Sequence, residues 1–387
     1  MFFSRKRKKI ERVLVVDIGS GSVGVAIATT FNSDSKIPAL VEAVFRSPIQ
    51  FSGEFDFAKF LSSAESALEK CLKNLHDAKA KRPDTALLVF ASPWYNASPR
   101  VASISKGVNF VFSEKEMQTI LKNEKDLLVR DISKNNSNDI DNFVILDEVI
   151  HSVNLNGYPQ DNPIGKTTKS ASIKMFMTIT EKIVFEKIKS KVKNFFPHIH
   201  IVASSFMNAL FVSLRDIKMI EDDTVLIDIG GEMTEIVKVS HGTINSAASF
   251  PSGRTKIIRK MPVRGVNENI LRMYEKGELT PAEVQNLDKT IAVVMEDWKE
   301  EIKNTLMKFD GGFLRAKKVC ITLDEDVIKI FYSPVIDVLN GLVPVNPPEV
   351  VIVRPDRIEP HIKFADKVPR DEFLMIETIF ARRKIFE

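Results

Sequence analysis

Two aspartates, each set at the end of an apolar run and followed by a turn of small residues, are best placed to do chemistry. The first run spans Arg12 to Ile27, with Val13-Leu14-Val15-Val16 leading into Asp17 and then Ile18-Gly19-Ser20-Gly21-Ser22. The second spans Asp223 to Val239, with Val225-Leu226-Ile227 leading into Asp228 and then Ile229-Gly230-Gly231-Glu232. A buried strand that ends in Asp delivers one carboxylate to the rim of a sheet. Glycine in the turn removes the Cβ, so backbone N–H groups can approach a phosphate closely. A single hairpin of this kind is a weak signal, since any tight turn favours glycine. Two copies imply a duplicated fold that grips a nucleotide and Mg2+ from both sides, with Asp17 and Asp228 holding the metal through water.

The elements that must position these turns are legible in the hydrophobic spacing. Phe57, Phe60, Leu61, Ala64, Leu68, Cys71, Leu72 and Leu75 recur at helical intervals and predict an amphipathic helix over the first sheet. Arg82-Pro83-Asp84 breaks that pattern, and Thr85 to Ala91 reads as a strand. Ser113-Glu114-Lys115-Glu116 has the spacing of a capping box that opens a helix through about Arg130. The tract Ser133 to Asn142, rich in Asn, Ser and Asp, reads as a polar loop. Strands are expected near Phe143–Leu155 and Ala171–Thr178, then a helix over Glu181–Phe196. A second long helix near Thr290–Phe309 carries Ile291, Val294, Met295, Trp298, Ile302, Leu306 and Phe309 on one face, a stripe that reads as core.

Order and motif together resemble the actin-like, Hsp70-like and sugar-kinase-like ATPases, and within them the bacterial division protein FtsA, with the pilus protein PilM a close second. The stretch Leu155-Asn156-Gly157-Tyr158, followed by Asn162-Pro163-Ile164-Gly165, is similar to a segment of FtsA. So is the series Ala203-Ser204-Ser205-Phe206-Met207-Asn208-Ala209-Leu210, then Asp228 to Glu235, then Phe250-Pro251-Ser252-Gly253. The resemblance implies an α/β actin-like ATPase fold of duplicated ribonuclease-H-like domains with an inserted small α+β subdomain, of the 1C or SHS2 kind. Domain 1A would take residues 1–84 and 161–200, the insert 85–160, and domain 2A 201–387, with a short 2B-like piece at about 254–288. That piece is smaller than the FtsA region that docks the tail of the tubulin-like FtsZ.

The same resemblance implies roles for particular residues. Gly19, Ser20, Gly21 and Ser22 would form one phosphate loop; Gly230, Gly231 and Thr234 would form the other, with Gly253 beside it. ATP and Mg2+ are the implied cofactors. Three departures stand against turnover. Glu232 replaces a glycine and Glu235 an aspartate. The late strand Val319 to Glu325 lacks the Gly-Gly turn on which adenine packs in the family. Glu268 with Arg272 could hold a ribose or be a solvated helical pair. A retained fold with a dead site is the alternative, and at most weak ATPase activity is expected.

Composition excludes several classes. A chain of 387 residues is too long for one core, and 44% hydrophobic with 27% charged residues is an ordinary globular balance. The net charge of +4 and the lack of a basic stripe interleaved with aromatics give no reason to expect a nucleic-acid partner. The two cysteines, Cys71 and Cys320, form no framework, which suits a reducing compartment. His198 and His200 lack a third metal ligand. No run reaches the roughly 20 apolar residues of a membrane span. A cytoplasmic protein on the inner face of the membrane is expected, with two candidate contacts to an anionic surface. One is Phe2 and Phe3 with Lys6 and Lys8 in the basic start; the other is Phe380 with Arg382 and Arg383 in a terminal amphipathic helix. Two partnerships follow from the resemblance: self-association with an FtsZ-like partner in division, or a PilM-like platform binding the short cytoplasmic tail of a pilus inner-membrane partner. A sugar or acid kinase would need a base carboxylate between the domains, which is not evident.

Overall fold

The computed structural model describes residues 10–31, 37–50, 55–133, 140–261, 269–309 and 315–386. The two aspartate-tipped runs form matching hairpins at the centres of two sheets. In the first half, β1 (Ile10–Ile18) pairs antiparallel with β2 (Ser22–Phe31), and β2 with β3 (Ala39–Pro48). β4 (Thr85–Phe90) joins β1 in parallel. A long excursion, β5 (Asn96–Val111), β6 (Phe143–Leu155), β7 (Tyr158–Pro159) and β8 (Thr167–Glu181), builds a separate four-stranded sheet in the order β5-β8-β6-β7. The chain then returns as β9 (His200–Ser205), parallel to β4.

The second half repeats the plan. β10 (Thr224–Ile229), β11 (Thr234–Ser240) and β12 (Thr243–Phe250) form an antiparallel meander, and β13 (Lys318–Leu323) and β14 (Glu349–Ile352) add in parallel. The orders β3-β2-β1-β4-β9 and β12-β11-β10-β13-β14 are the same topology twice, and β15 (Ile362–Phe364) extends the first sheet beside β3.

Helices fill the layers between and outside the sheets. α1 (Phe57–Asp77) and α3 (Lys182–Phe195) cover the outer face of the first sheet, while α2 (Glu114–Ser133) covers the insert. The α1 stripe read from the sequence is buried from Phe60 to Leu75, with Asp56 capping the helix through a 2.9 Å bond from the Lys59 N–H. α4 (Phe206–Asp216) and α10 (Glu372–Phe386) lie in the central core with Val13 and Val15 of one sheet and Leu226 and Val237 of the other. α5 (Arg254–Lys260), α6 (Ile270–Lys276), α7 (Pro281–Met307) and α8 (Ile328–Leu342) pack against the second sheet, and α9 (Pro355–Ile358) precedes β15. Both faces of β1 and β10 are therefore buried, which explains their unbroken apolar runs.

Two expected boundaries and the expected role of the last helix differ from what the sheets show. The inserted sheet occupies Asn96 to Glu181 rather than 85–160, because Thr85–Phe90 pairs with β1 and β8 belongs with β5 and β6. The second half does not keep all of 201–387: β15 and α10 return to the first sheet. α10 is packed as a core helix rather than presenting an amphipathic face. Leu374, Met375, Ile376, Glu377, Phe380 and Ala381 are buried on several of its faces, as in a core helix. Phe380 is only 3% exposed. Arg383 is held by Asp216 at 3.1 Å, and Arg382 also has a partner. The other membrane candidates, Phe2, Phe3, Lys6 and Lys8, lie outside the described residues. No helix among the described residues is long and apolar enough to cross a membrane.

The candidate nucleotide cleft

The hairpin registers bring the two aspartates to one place. Asp17 sits opposite Gly24 on β2 and beside Val89 on β4; Asp228 sits opposite Glu235 on β11 and beside Thr322 on β13. Both carboxylates line one small cavity between the halves, together with Gly19, Ser20, Gly230 and Gly231. Its volume is about 30 Å³, room for roughly one water, whereas ligand pockets run to several hundred Å³.

The cavity is small because the turns touch. A Cβ on Gly231 would lie 2.5 Å from the Gly21 nitrogen and 2.7 Å from its Cα. The Glu232 N–H donates to Ser20 Oγ at 3.1 Å, a bond across the two halves. Other amides expected to face phosphate are spent inside their own turns: Gly19 N–H on the Ser22 carbonyl at 3.1 Å, and Gly230 N–H on the Met233 carbonyl at 2.9 Å. Gly253 serves packing, since a Cβ there would come within 2.4 Å of the Gly230 and Gly231 carbonyl oxygens. Thr234 points away from the cleft, its hydroxyl donating to the Ser252 carbonyl at 2.6 Å and accepting from the Trp298 indole at 3.0 Å.

The two aspartates have different neighbours. Asp17 meets the guanidinium of Arg46 at 2.8 Å, and Arg46 is also held by Asp371 at 2.6 and 2.8 Å and by Ser22 Oγ at 2.8 Å. Burial pushes Asp17 up to about 6, with Arg46 pulling the other way. Glu377 of α10 is fully buried beside Asp17, and neither of its carboxyl oxygens has a hydrogen-bond partner among the described residues. Burial and the Asp17 charge drive its pKa far up. Burial opposes the charge on Arg46 too, but Asp371 and Asp17 outweigh it and keep the guanidinium protonated. Among the described residues no cation pairs with Asp228. Burial raises it to about 8 and favours the protonated form, against a 2.7 Å bond from the Thr322 hydroxyl.

The sequence departures also find their places. Glu232 turns out of the cleft, taken by the two terminal nitrogens of Arg259, one at 2.6 Å. Glu235 spans the halves under Ser92 at 2.8 Å and Tyr95 at 2.6 Å, and burial raises it to about 7. At the adenine end, Asp324 and Asp326 are both bound to Arg254, at 2.5 and 2.8 Å. Glu268 lies outside the described residues, so its pairing with Arg272 goes unplaced. The Ser204-Ser205-Asn208 motif surrounds buried Asp147 of β6, with Thr178 on the same carboxylate, and so ties the insert to the core. Asn162 to Gly165 lies in the loop entering β8, within the insert.

A metal between Asp17 and Asp228 does not fit this arrangement, since the turns are in backbone contact there and the Asp17 carboxylate already holds a cation. The roomier space lies beside it, a cavity of about 470 Å³ lined by Gly21, Ser22, Arg46, Arg254, Arg272 and Asp324. Among the described residues no group of three or more His, Cys, Asp or Glu side chains is arranged to hold a metal ion. Sequence reasoning missed Arg46, Asp371, Glu377, Arg254 and Arg259. A pairing separated by 325 residues, as between Arg46 and Asp371, carries no local signal.

The architecture is the actin-like ATPase fold, with duplicated sheets and a small inserted subdomain. A PilM–PilN type IV pilus biogenesis complex superposes on 98% of this chain and 99% of its own, with a TM-score of 0.64 at 14% identity. The ethanolamine utilization protein EutJ of Carboxydothermus hydrogenoformans aligns over 97% of this chain and 90% of its own, at a TM-score of 0.47 and 11% identity. No protein-family model and no curated protein matches the sequence.

Proposed function

We propose that the chain is a PilM-like platform: a cytoplasmic scaffold of a type IV pilus system that holds a segment of a membrane-embedded partner and works by binding. The observation that carries this reading is the superposition on the PilM–PilN complex along 98% of the chain, insert included, rather than over the nucleotide core alone. The closed position between Asp17 and Asp228 supports binding over turnover. The small region between Gly253 and α7, with α5 and α6 as its described elements, supports the pilus role over FtsZ docking in division.

Membrane association then comes through the partner, since α10 is part of the core. A groove of about 710 Å³ where the insert meets the first half is suited to an extended segment. It is lined by Asn96, Ile132, Phe143, Lys182, Ile183 and Glu186, and Ile183 is 56% exposed there. Self-association belongs to the same proposal, as the fold is one of assemblies.

The test is co-purification of the tagged chain with the inner-membrane proteins encoded beside it, comparing the parent with Ile183→Asp. Retention of a pilus-type membrane protein by the parent, weakened at least tenfold by the variant, is expected. Retention of an FtsZ-like protein instead, or of neither, would overturn the reading.

A further inference from the structure

We propose that Arg46 is the resident cation of the cleft, standing where a metal would otherwise sit against Asp17, so that the two turns meet without a metal ion. This goes beyond the platform reading and rests on different observations.

Each nitrogen of the guanidinium is engaged. Nε and Nη2 form a fork on Asp371 at 2.6 and 2.8 Å, Nη2 also reaches Asp17 at 2.8 Å, and Nη1 reaches Ser22 Oγ at 2.8 Å. The ring of Phe373 lies 5.5 Å from the guanidinium carbon, adding a cation–π contact. The scaffold makes room for this group. A Cβ on Gly24, the register partner of Asp17, would fall 2.8 Å from Nη2 and 2.9 Å from the guanidinium carbon. Glu377, buried and without a hydrogen-bond partner among the described residues, lies near enough for the Asp17, Arg46 and Asp371 charges to act on it.

Arg46 thus gathers three parts of the chain at one point: the first turn through Ser22, the tip of β1 through Asp17, and the start of α10 through Asp371. The first turn in turn carries Ser20, which accepts the Glu232 N–H from the second half. A fixed guanidinium bonded this way does for the first turn what a metal does: it neutralises the aspartate and sets the loop. A planar fork matches a carboxylate in two bonds, which a lysine cannot do.

The experiment is thermal unfolding of the full chain with three probes: Mg2+ alone, Mg2+ with ATP, and ethylguanidinium at low millimolar concentration. The parent is expected to show the same midpoint with all three. Arg46→Ala is expected to unfold several degrees lower and to recover part of the loss with ethylguanidinium. That recovery is expected to vanish in Arg46→Ala/Asp371→Asn. If Arg46→Ala does not fold, Arg46→Lys carries the test, with a lowered midpoint and no response to Mg2+ with ATP. A rise of the parent midpoint with Mg2+ and ATP would overturn the proposal. So would an Arg46→Ala midpoint equal to the parent's.

Discussion

The two hairpins share one grammar and keep different electrostatics. In β1–β2 the aspartate is matched by an arginine from β3, and a glutamate from α10 whose pKa is driven up lies beside it. In β10–β11 the aspartate has a threonine hydroxyl and, among the described residues, no cation, and burial favours its protonated form. A buried carboxyl has these two ways to avoid an uncompensated charge: pair or stay neutral. The halves show both, and that contrast explains how they close on each other. Charge is retained only where a guanidinium answers it, and the glycines of the two turns then meet backbone to backbone.

Breaking the contact between turns should have the largest effect. Gly231→Ala forces a methyl into the Gly21 backbone, where no flexible side chain can yield. A loss of about 3 kcal/mol or more in urea unfolding is expected. Gly341→Ala, at an exposed position of α8 with open space around it, should instead gain up to about 1 kcal/mol.

The two aspartates separate next. Arg46→Ala leaves Asp17 and Asp371 without their cation, and a cost of about 3–5 kcal/mol is expected. Asp228→Asn replaces an acid that favours its protonated form by a near isostere, and about 1 kcal/mol or less is expected in the same measurement.

The pH dependence should follow the unpaired half. The folded pKa of Asp228, about 8, lies above its ordinary value of 3.8. The folded state therefore keeps a proton that the unfolded chain releases. The stabilisation is full below about pH 4 and is lost as pH rises through about 8. Asp17, Glu235 and Asp324 face Asp228 and add to the rise. Urea unfolding at pH 5 and pH 8 should show the parent losing more stability than Asp228→Asn. An equal loss in both would refute the raised pKa of Asp228.

The smallest effect belongs to the exposed end of α10. Arg383→Ala removes a solvent-facing pair with Asp216, and a change of about 0.5 kcal/mol or less is expected. The same variant should bind anionic vesicles no differently from the parent.

Much of the fold was legible because its signals are local. Alternating or continuous apolar runs, the α1 stripe and the Asp-plus-glycine turns are readable within windows of about 20 residues. The insert boundary slipped because Thr85–Phe90 is an ordinary apolar strand whose partner lies far back in the chain. α10 was misread because Arg382-Arg383-Lys384 beside Phe380 look amphipathic, while Leu374, Met375 and Ile376 show a helix enclosed on several sides. The candidate site was half legible. Asp17 and Asp228 do meet, but what fills the space between them hangs on Arg46, which sits in the unremarkable run Phe45-Arg46-Ser47 with no motif to mark it.

Double electron–electron resonance between spin labels at Lys73→Cys on α1 and Glu300→Cys on α7 reads the separation of the halves directly, the native cysteines being buried. One narrow distance distribution, unchanged by Mg2+ with ATP and broadened in Arg46→Ala, is expected. A parent distribution that shifts with nucleotide would show a working cleft and contradict closure by the internal arginine.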